Sequence, residues 1–233
     1  MPKISRFREI LRVTFSFYKI LPLKKFCFII IAKTILVCGI QLNNIINATS
    51  IQDVFTTVFS NNAGTFIQTL FYFSSIAVQI ILVLLFITAP ISEDYYYSRI
   101  KFKTSIALGR LSVIAIGLVV LVLVEITTAF IFTTFTNTNI TSLDYRVLIT
   151  FYKIYLPRLT LLYCVMLALK FSKNKLVILI IITGLIFLDS MLELPLVFFF
   201  PIKLLNYNCF SHQWITAEIH FMSILIFLIL ISE

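Results

Sequence analysis

Apolar residues run through this chain in long blocks separated by short polar stretches. Runs near 25–42, 66–90, 107–133, 154–170, 176–194 and 214–231 are each dominated by Ile, Leu, Phe and Val. A hydrocarbon core about 30 Å thick takes about 20 apolar residues at helical rise, so the six runs predict six transmembrane helices. Between the fifth and sixth lies P-L-V-F-F-F-P-I-K-L-L-N-Y (195–207), apolar but interrupted by Pro195 and Pro201. It is too short and too broken to cross, and predicts a re-entrant or interfacial segment.

Ahead of the first run, residues 3–20 carry a different period. Ile4, Phe7, Leu11, Phe15 and Tyr18 recur at spacings of three and four, and so do Ser5, Arg8, Arg12, Ser16 and Lys19. Two such stripes predict an amphipathic helix, cationic on one face and aromatic-aliphatic on the other. A helix of that kind lies in the headgroup layer, held by apolar burial and by attraction to anionic lipid. It serves either as a simple membrane anchor or as an elbow leading into a transporter. The chain therefore divides into a cytoplasmic interfacial helix over 1–24 and a six-span domain over 25–233.

Composition agrees with the pattern. Of the 233 residues 60% are hydrophobic, 24 are Phe and only 12% are charged, with mean hydropathy +1.04. A water-soluble domain cannot cover that much apolar surface. The basic stretch runs on for some 25 residues before the first apolar run and no small-residue cleavage site follows, so it does not read as a signal peptide.

The net charge of +9 gains its meaning from where the cations fall. With the N-terminus inside, fourteen Lys and Arg lie on the inner side, and Arg146, Lys153, Arg158 and Lys203 make four on the outer side. That asymmetry is the positive-inside rule, so the charge reports topology and anionic-lipid contact, and no nucleic-acid partner is expected. The segment 43–65, rich in Asn and Thr and without Lys or Arg, reads as a long outer loop. After Leu230 no positive anchor follows, so the side of the C-terminus stays open. Cys27, Cys38 and Cys164 fall in spans and Cys209 stands alone in a loop, which matches neither a disulfide framework nor a metal site.

One polar stretch between the second and third runs stands apart: P-I-S-E-D-Y-Y-Y-S-R-I-K-F-K-T-S-I-A-L-G-R, residues 90–110. Pro90 ends the second run, Ser92 suits an N-cap, and Glu93 and Asp94 occupy a first helical turn, where the helix dipole favours acids. Arg99, Lys101 and Lys103 follow at the favourable end, and Tyr95, Tyr96 and Tyr97 suit headgroup level. Residues 92–104 thus predict a short cytoplasmic helix against the membrane. Its acids read either as ordinary capping or as the mark of a protein partner with a basic rim, because the inner leaflet repels them.

The layout resembles the ABC-2 type permeases, the membrane subunits of a large class of ATP-driven exporters. The local text that carries the resemblance is E-D-Y-Y-Y-S-R followed by A-L-G-R-L (107–111), and F-S-K-N-K-L-V (171–177) between the fourth and fifth runs. The resemblance implies an all-α polytopic membrane protein of six transmembrane helices. It adds an N-terminal elbow helix, a coupling helix that contacts the ATPase, and a re-entrant segment before the last span. It also implies contacts to the ATPase through Glu93, Asp94, Tyr96, Arg99 and Lys101, and a second permease subunit, identical or related, to enclose a path. The chain has no G-x-x-x-x-G-K-[ST], and its five glycines are scattered. No cofactor is expected in this chain, and ATP and Mg belong to separate ATP-binding subunits. Small members of this size include peptide-export and lantibiotic-immunity subunits, which implies an amphipathic or antimicrobial peptide as substrate and the bacterial cell membrane as location.

Charges at membrane depth are costly and are candidates for function by default. Lys33 lies about 12 Å beyond Lys25 along the first span, and is expected to turn inward or to pair with an acid on another helix. Glu125 lies about 22 Å beyond Arg110, and Asp189 about 20 Å beyond Lys175 with Glu193 one turn further. Glu218 falls near the outer start of the last span. These residues read either as an acidic outer vestibule for a cationic or amphipathic substrate, or as partners of Arg146, Lys153, Arg158 and Lys203. A Cys209–His212 peptidase pair and a metal site on His212 and His220 are both disfavoured, for want of a third group and of a recognised spacing. Against the exporter stand an ion-coupled carrier that relays through Glu125, Asp189 and Lys33, a non-transporting immunity or accessory protein, and an intramembrane enzyme. No paired catalytic motif supports the last of these.

Overall fold

The computed structural model describes residues 2–20, 22–59, 77–81, 103–137, 146–171, 174, 177, 180–185 and 212–231. Among them the chain is helical throughout and contains no strand. We number the helices α1 (Pro2–Ile20), α2 (Leu23–Ile40), α3 (Leu42–Ile46), α4 (Ile51–Phe59), α5 (Lys103–Thr136), α6 (Arg146–Phe171) and α7 (His212–Ile231).

α5 is the axis of the bundle. Its 34 residues make a rod about 51 Å long, and every other labelled helix packs against it. The span from Thr104 to Thr136 is long and apolar enough to cross a membrane, and so is Val147–Phe171 of α6. Large apolar side chains cover the outer faces of α2, α5 and α7, among them Phe28, Phe135 and Phe227, all more than half exposed. A soluble domain rarely presents that much contiguous apolar surface, and the chain is membrane-associated. Its hydroxyls fit a medium without water. Thr34, Ser112, Thr128, Thr133 and Thr160 each donate to the carbonyl four residues back, which satisfies them within their own helix.

Cross-helix contacts fix the directions of the rods. Leu23 lies level with Gly117, where a Cβ would meet its Cδ2 at 3.8 Å. Further along, Lys33 meets Glu125 and Asn137 meets Ile45, each pair 92 residues apart. A constant offset over that length means that α2, continued by α3, runs parallel to α5 and in register. α6 runs the other way: the Tyr163 hydroxyl donates to the Leu111 carbonyl (3.2 Å) and the Tyr155 hydroxyl to that of Ala115 (3.3 Å). α7 packs on α6 and α5, with Leu225 and Ile229 buried.

α1 uses a third face, between its cationic and apolar stripes, to reach the bundle. Val13 and Thr14 are buried against α5, whereas Phe7, Leu11 and Phe15 of the apolar stripe stay exposed. Gly109 makes the approach feasible, because a Cβ there would overlap the Val13 side chain.

Three boundaries depart from the sequence reading. The outer loop expected over 43–65 contains α3 and α4, and Ile45, Val54, Phe55 and Phe59 enter the core. Its Asn and Thr content hid an apolar face and a capping box: Ser50 Oγ accepts from the Asp53 N–H (3.2 Å), and Asp53 Oδ2 accepts from the Ser50 N–H (3.0 Å) and from the Ser50 and Thr49 hydroxyls. α6 begins at Arg146 and not near 154, because an interior Pro157 interrupts the sequence pattern without ending the helix. Lys103 and Thr104, expected to close the 92–104 helix, form the first turn of α5. The remainder of the 92–104 helix, the 66–76 and 82–90 parts of the second run and the 195–207 segment lie outside the described residues.

Candidate functional site: a buried ionic triad

Three helices each contribute one charge to a single point in the bundle. Lys33 is about 15 Å along α2, Glu125 about 33 Å along α5, and Arg158 about 18 Å along α6. Lys33 Nζ lies 2.6 Å from Glu125 Oε1, and the Arg158 guanidinium donates through one terminal nitrogen to Glu125 Oε2 at 2.5 Å. Each carboxylate oxygen therefore receives a charge-assisted hydrogen bond from a different helix.

Local sequence explains each placement. Lys33 follows I-I-I-A, so its flexible stem leaves an apolar helix surface toward the α5 groove. Glu125 lies on the fully buried strip of α5 formed with Leu118, Leu121 and Val122. Arg158 follows Pro157, which has no N–H to give to the Lys153 carbonyl four residues back. Burial differs among the three: Glu125 is wholly enclosed, while 11% of the Lys33 side chain and 6% of Arg158 remain accessible. What little of the triad is accessible thus belongs to its cations, Lys33 more than Arg158.

Withdrawing these charges from water costs several kcal/mol per ion, which their mutual attraction offsets only while each cation keeps its acid. The triad consequently acts as a register pin. Sliding α2 or α6 by one residue along α5 shifts its cation by about 1.5 Å and breaks hydrogen bonds that nothing apolar can replace.

Of the residues singled out from the sequence, Lys33 and Glu125 are brought together here. Glu218 is placed by its backbone in the second turn of α7. Asp189, Glu193, Glu93, Asp94, Tyr96, Arg99 and Lys101 lie outside the described residues. Arg158 is the member that sequence reasoning missed as a site. It was grouped with the outer cations, whereas it is buried midway along α6. Its signal was an arginine inside a helix-length apolar stretch, which a count of cations by side does not register.

A second polar joint sits at the end of α5. Asn137 Nδ2 donates to the carbonyls of Ile45 (3.0 Å), Ile46 (3.1 Å) and Ala48 (3.0 Å), the C-terminal carbonyls of α3 and its exit. It satisfies groups that the helix leaves without intrahelical partners.

No family model matches the chain, and no curated protein or solved structure matches it either.

Proposed function

We propose that the chain is the membrane-spanning permease subunit of an ATP-driven exporter, with ATP hydrolysed on a separate subunit. The observation that carries the reading is the course of α5. It starts immediately after the acidic, tyrosine-rich stretch 92–101, receives α1 at Gly109, and continues unbroken to Asn137, which grips α3. A displacement delivered to residues 92–101 by an ATPase travels along one rod to the α3–α4 cap at the far end.

In this reading α1 is an elbow in the cytoplasmic leaflet, with Phe7, Leu11 and Phe15 in the acyl region and Arg8, Arg12 and Lys19 at anionic headgroups. The chain spans a bacterial cell membrane six times with its N-terminus inside. Two such subunits enclose the path, and ATP-driven closure of the ATPases opens the outer side. The substrate is an amphipathic molecule, such as an antimicrobial peptide. The parallel course of α2 and α5 and the antiparallel course of α6 support the alternation of spans that this topology requires.

The test is purification from the native membrane in mild detergent with a C-terminal tag. The expected result is a co-purifying P-loop ATPase whose association is lost in Glu93→Lys/Asp94→Lys. A chain that purifies without any ATPase points instead to an ion-coupled carrier or a non-transporting accessory protein.

A further inference from the structure

Two cations converge on one acid inside the bundle, so the triad carries a formal net charge of +1. An excess charge away from water is strongly disfavoured, and a protein that keeps one normally has a ligand or pathway to match. The donor count points the same way. Lys33 has three N–H donors and Arg158 five, and each directs one hydrogen bond to Glu125. No other partner of Lys33 or Arg158 stands among the described residues. Any further hydrogen bond to the Glu125 carboxylate comes from a donor, and so brings no negative charge.

The surroundings of Lys33 say what kind of anion fits. Ile29, Leu36 and Ile40 share its face of α2 at helical spacing, and all three are exposed. An apolar strip therefore runs past the accessible edge of the cation pair. We propose that Lys33 and Arg158, beside Glu125, form a binding site for the carboxylate or phosphate head of an amphiphile whose tail lies along Ile29, Leu36 and Ile40. This reverses the expectation of an acid-lined path for cationic substrate at this depth, because the acid is enclosed and the accessible edge belongs to the cations. As a binding site the inference rests on the triad alone. As a substrate class it rests on the permease reading.

The test is photolabelling of the full chain in phosphatidylcholine nanodiscs, using a diazirine-bearing long-chain fatty acid and its primary-amine analogue. The carboxylate is expected to label α2 and α6 around the triad, and the amine to label them at least about tenfold less. Lys33→Gln leaves a neutral Glu125–Arg158 pair, which keeps the fold, and is expected to lower carboxylate labelling about tenfold or more, with Lys33→Arg retaining it. Glu125→Gln removes the competing acid and is expected to raise labelling, a direction that misfolding does not produce. Competition by added phosphatidylglycerol identifies a lipid headgroup as the occupant, and persistence of the label identifies a free amphiphile. Equal labelling by acid and amine, undiminished labelling in Lys33→Gln, or a loss in Glu125→Gln protein whose α5 and α6 amides keep their wild-type exchange protection would overturn the site. Failure to capture an ATPase leaves this result unaffected, and loss of the label leaves the ATPase pairing untouched.

Discussion

α5 is joined to its neighbours in two different ways. Near its start the contact with α1 is van der Waals packing of Val13 into the space left by Gly109. Two thirds of the way along, the joint to α2 and α6 consists of two cations converging on the Glu125 carboxylate. In a lipid environment the first kind gains little from the hydrophobic effect, since lipid tails are as apolar as the helix, and it depends on close shape. The second kind is directional and tolerates no slip. α5 is thus held near its start by shape and two thirds of the way along by charge.

The comparison breaks most severely at the charged joint. Glu125→Ala leaves two buried cations without their acid and is expected to cost about 3–5 kcal/mol, measured by equilibrium unfolding in mixed micelles. Arg158→Ala removes only the excess cation, leaves the Lys33–Glu125 pair intact, and is expected to cost visibly less in the same assay. Equal costs would mean that the acid is not the member on which the two cations depend.

At the packed joint, Gly109→Leu forces α1 away from α5 and is expected to cost about 1–3 kcal/mol. The more telling readout is hydrogen exchange of the α1 amides, which should speed up in the variant while the amides around the triad are unchanged. The polar clamp at the far end gives a loss of similar size. Asn137→Leu removes a hydrogen bond from each of three carbonyls, of which Ile45 keeps one from the Ala48 N–H, and is expected to cost about 1–3 kcal/mol, read as faster hydrogen exchange in α3 and α4.

The smallest effect lies at the α4 cap. The Asp53 carboxyl is held below its ordinary range, first by the Ser50 hydroxyl and then by that of Thr49. A lowered folded-state pKa means that the contribution is present at neutral pH and is lost as pH falls through that pKa. Asp53→Ala is expected to loosen α4 by up to about 1 kcal/mol at neutral pH and to make no difference in strong acid, measured by exchange of the α4 amides.

What could be read from the sequence follows from how local each signal is. α1, α2, α5 and α7 were legible because bilayer thickness and helical period impose lengths and stripes that stand in contiguous residues. α3 and α4 were not, since Asn and Thr content argued for a loop, although S-I-Q-D (50–53) spelled out the capping box. Lys33 and Glu125 were legible one by one as intramembrane charges, and pairing was among the outcomes weighed. The triad as a unit was not legible, because its members are separated by 92 and 33 residues and join only through the register of α2 and α6 on α5. Arg158 illustrates the limit: assigning a cation to a side by position in the chain says nothing of whether its helix turns it inward.

The central claim is that one enclosed acid holds three helices together by pairing with a cation from each of the other two. The most direct test compares Glu125→Gln with the triple variant Lys33→Gln/Glu125→Gln/Arg158→Gln in the same unfolding assay. The account predicts that the triple variant recovers most of the stability lost in the single one, because the two stranded cations go with the acid. A triple variant that is less stable than Glu125→Gln, with losses that simply add, would contradict it.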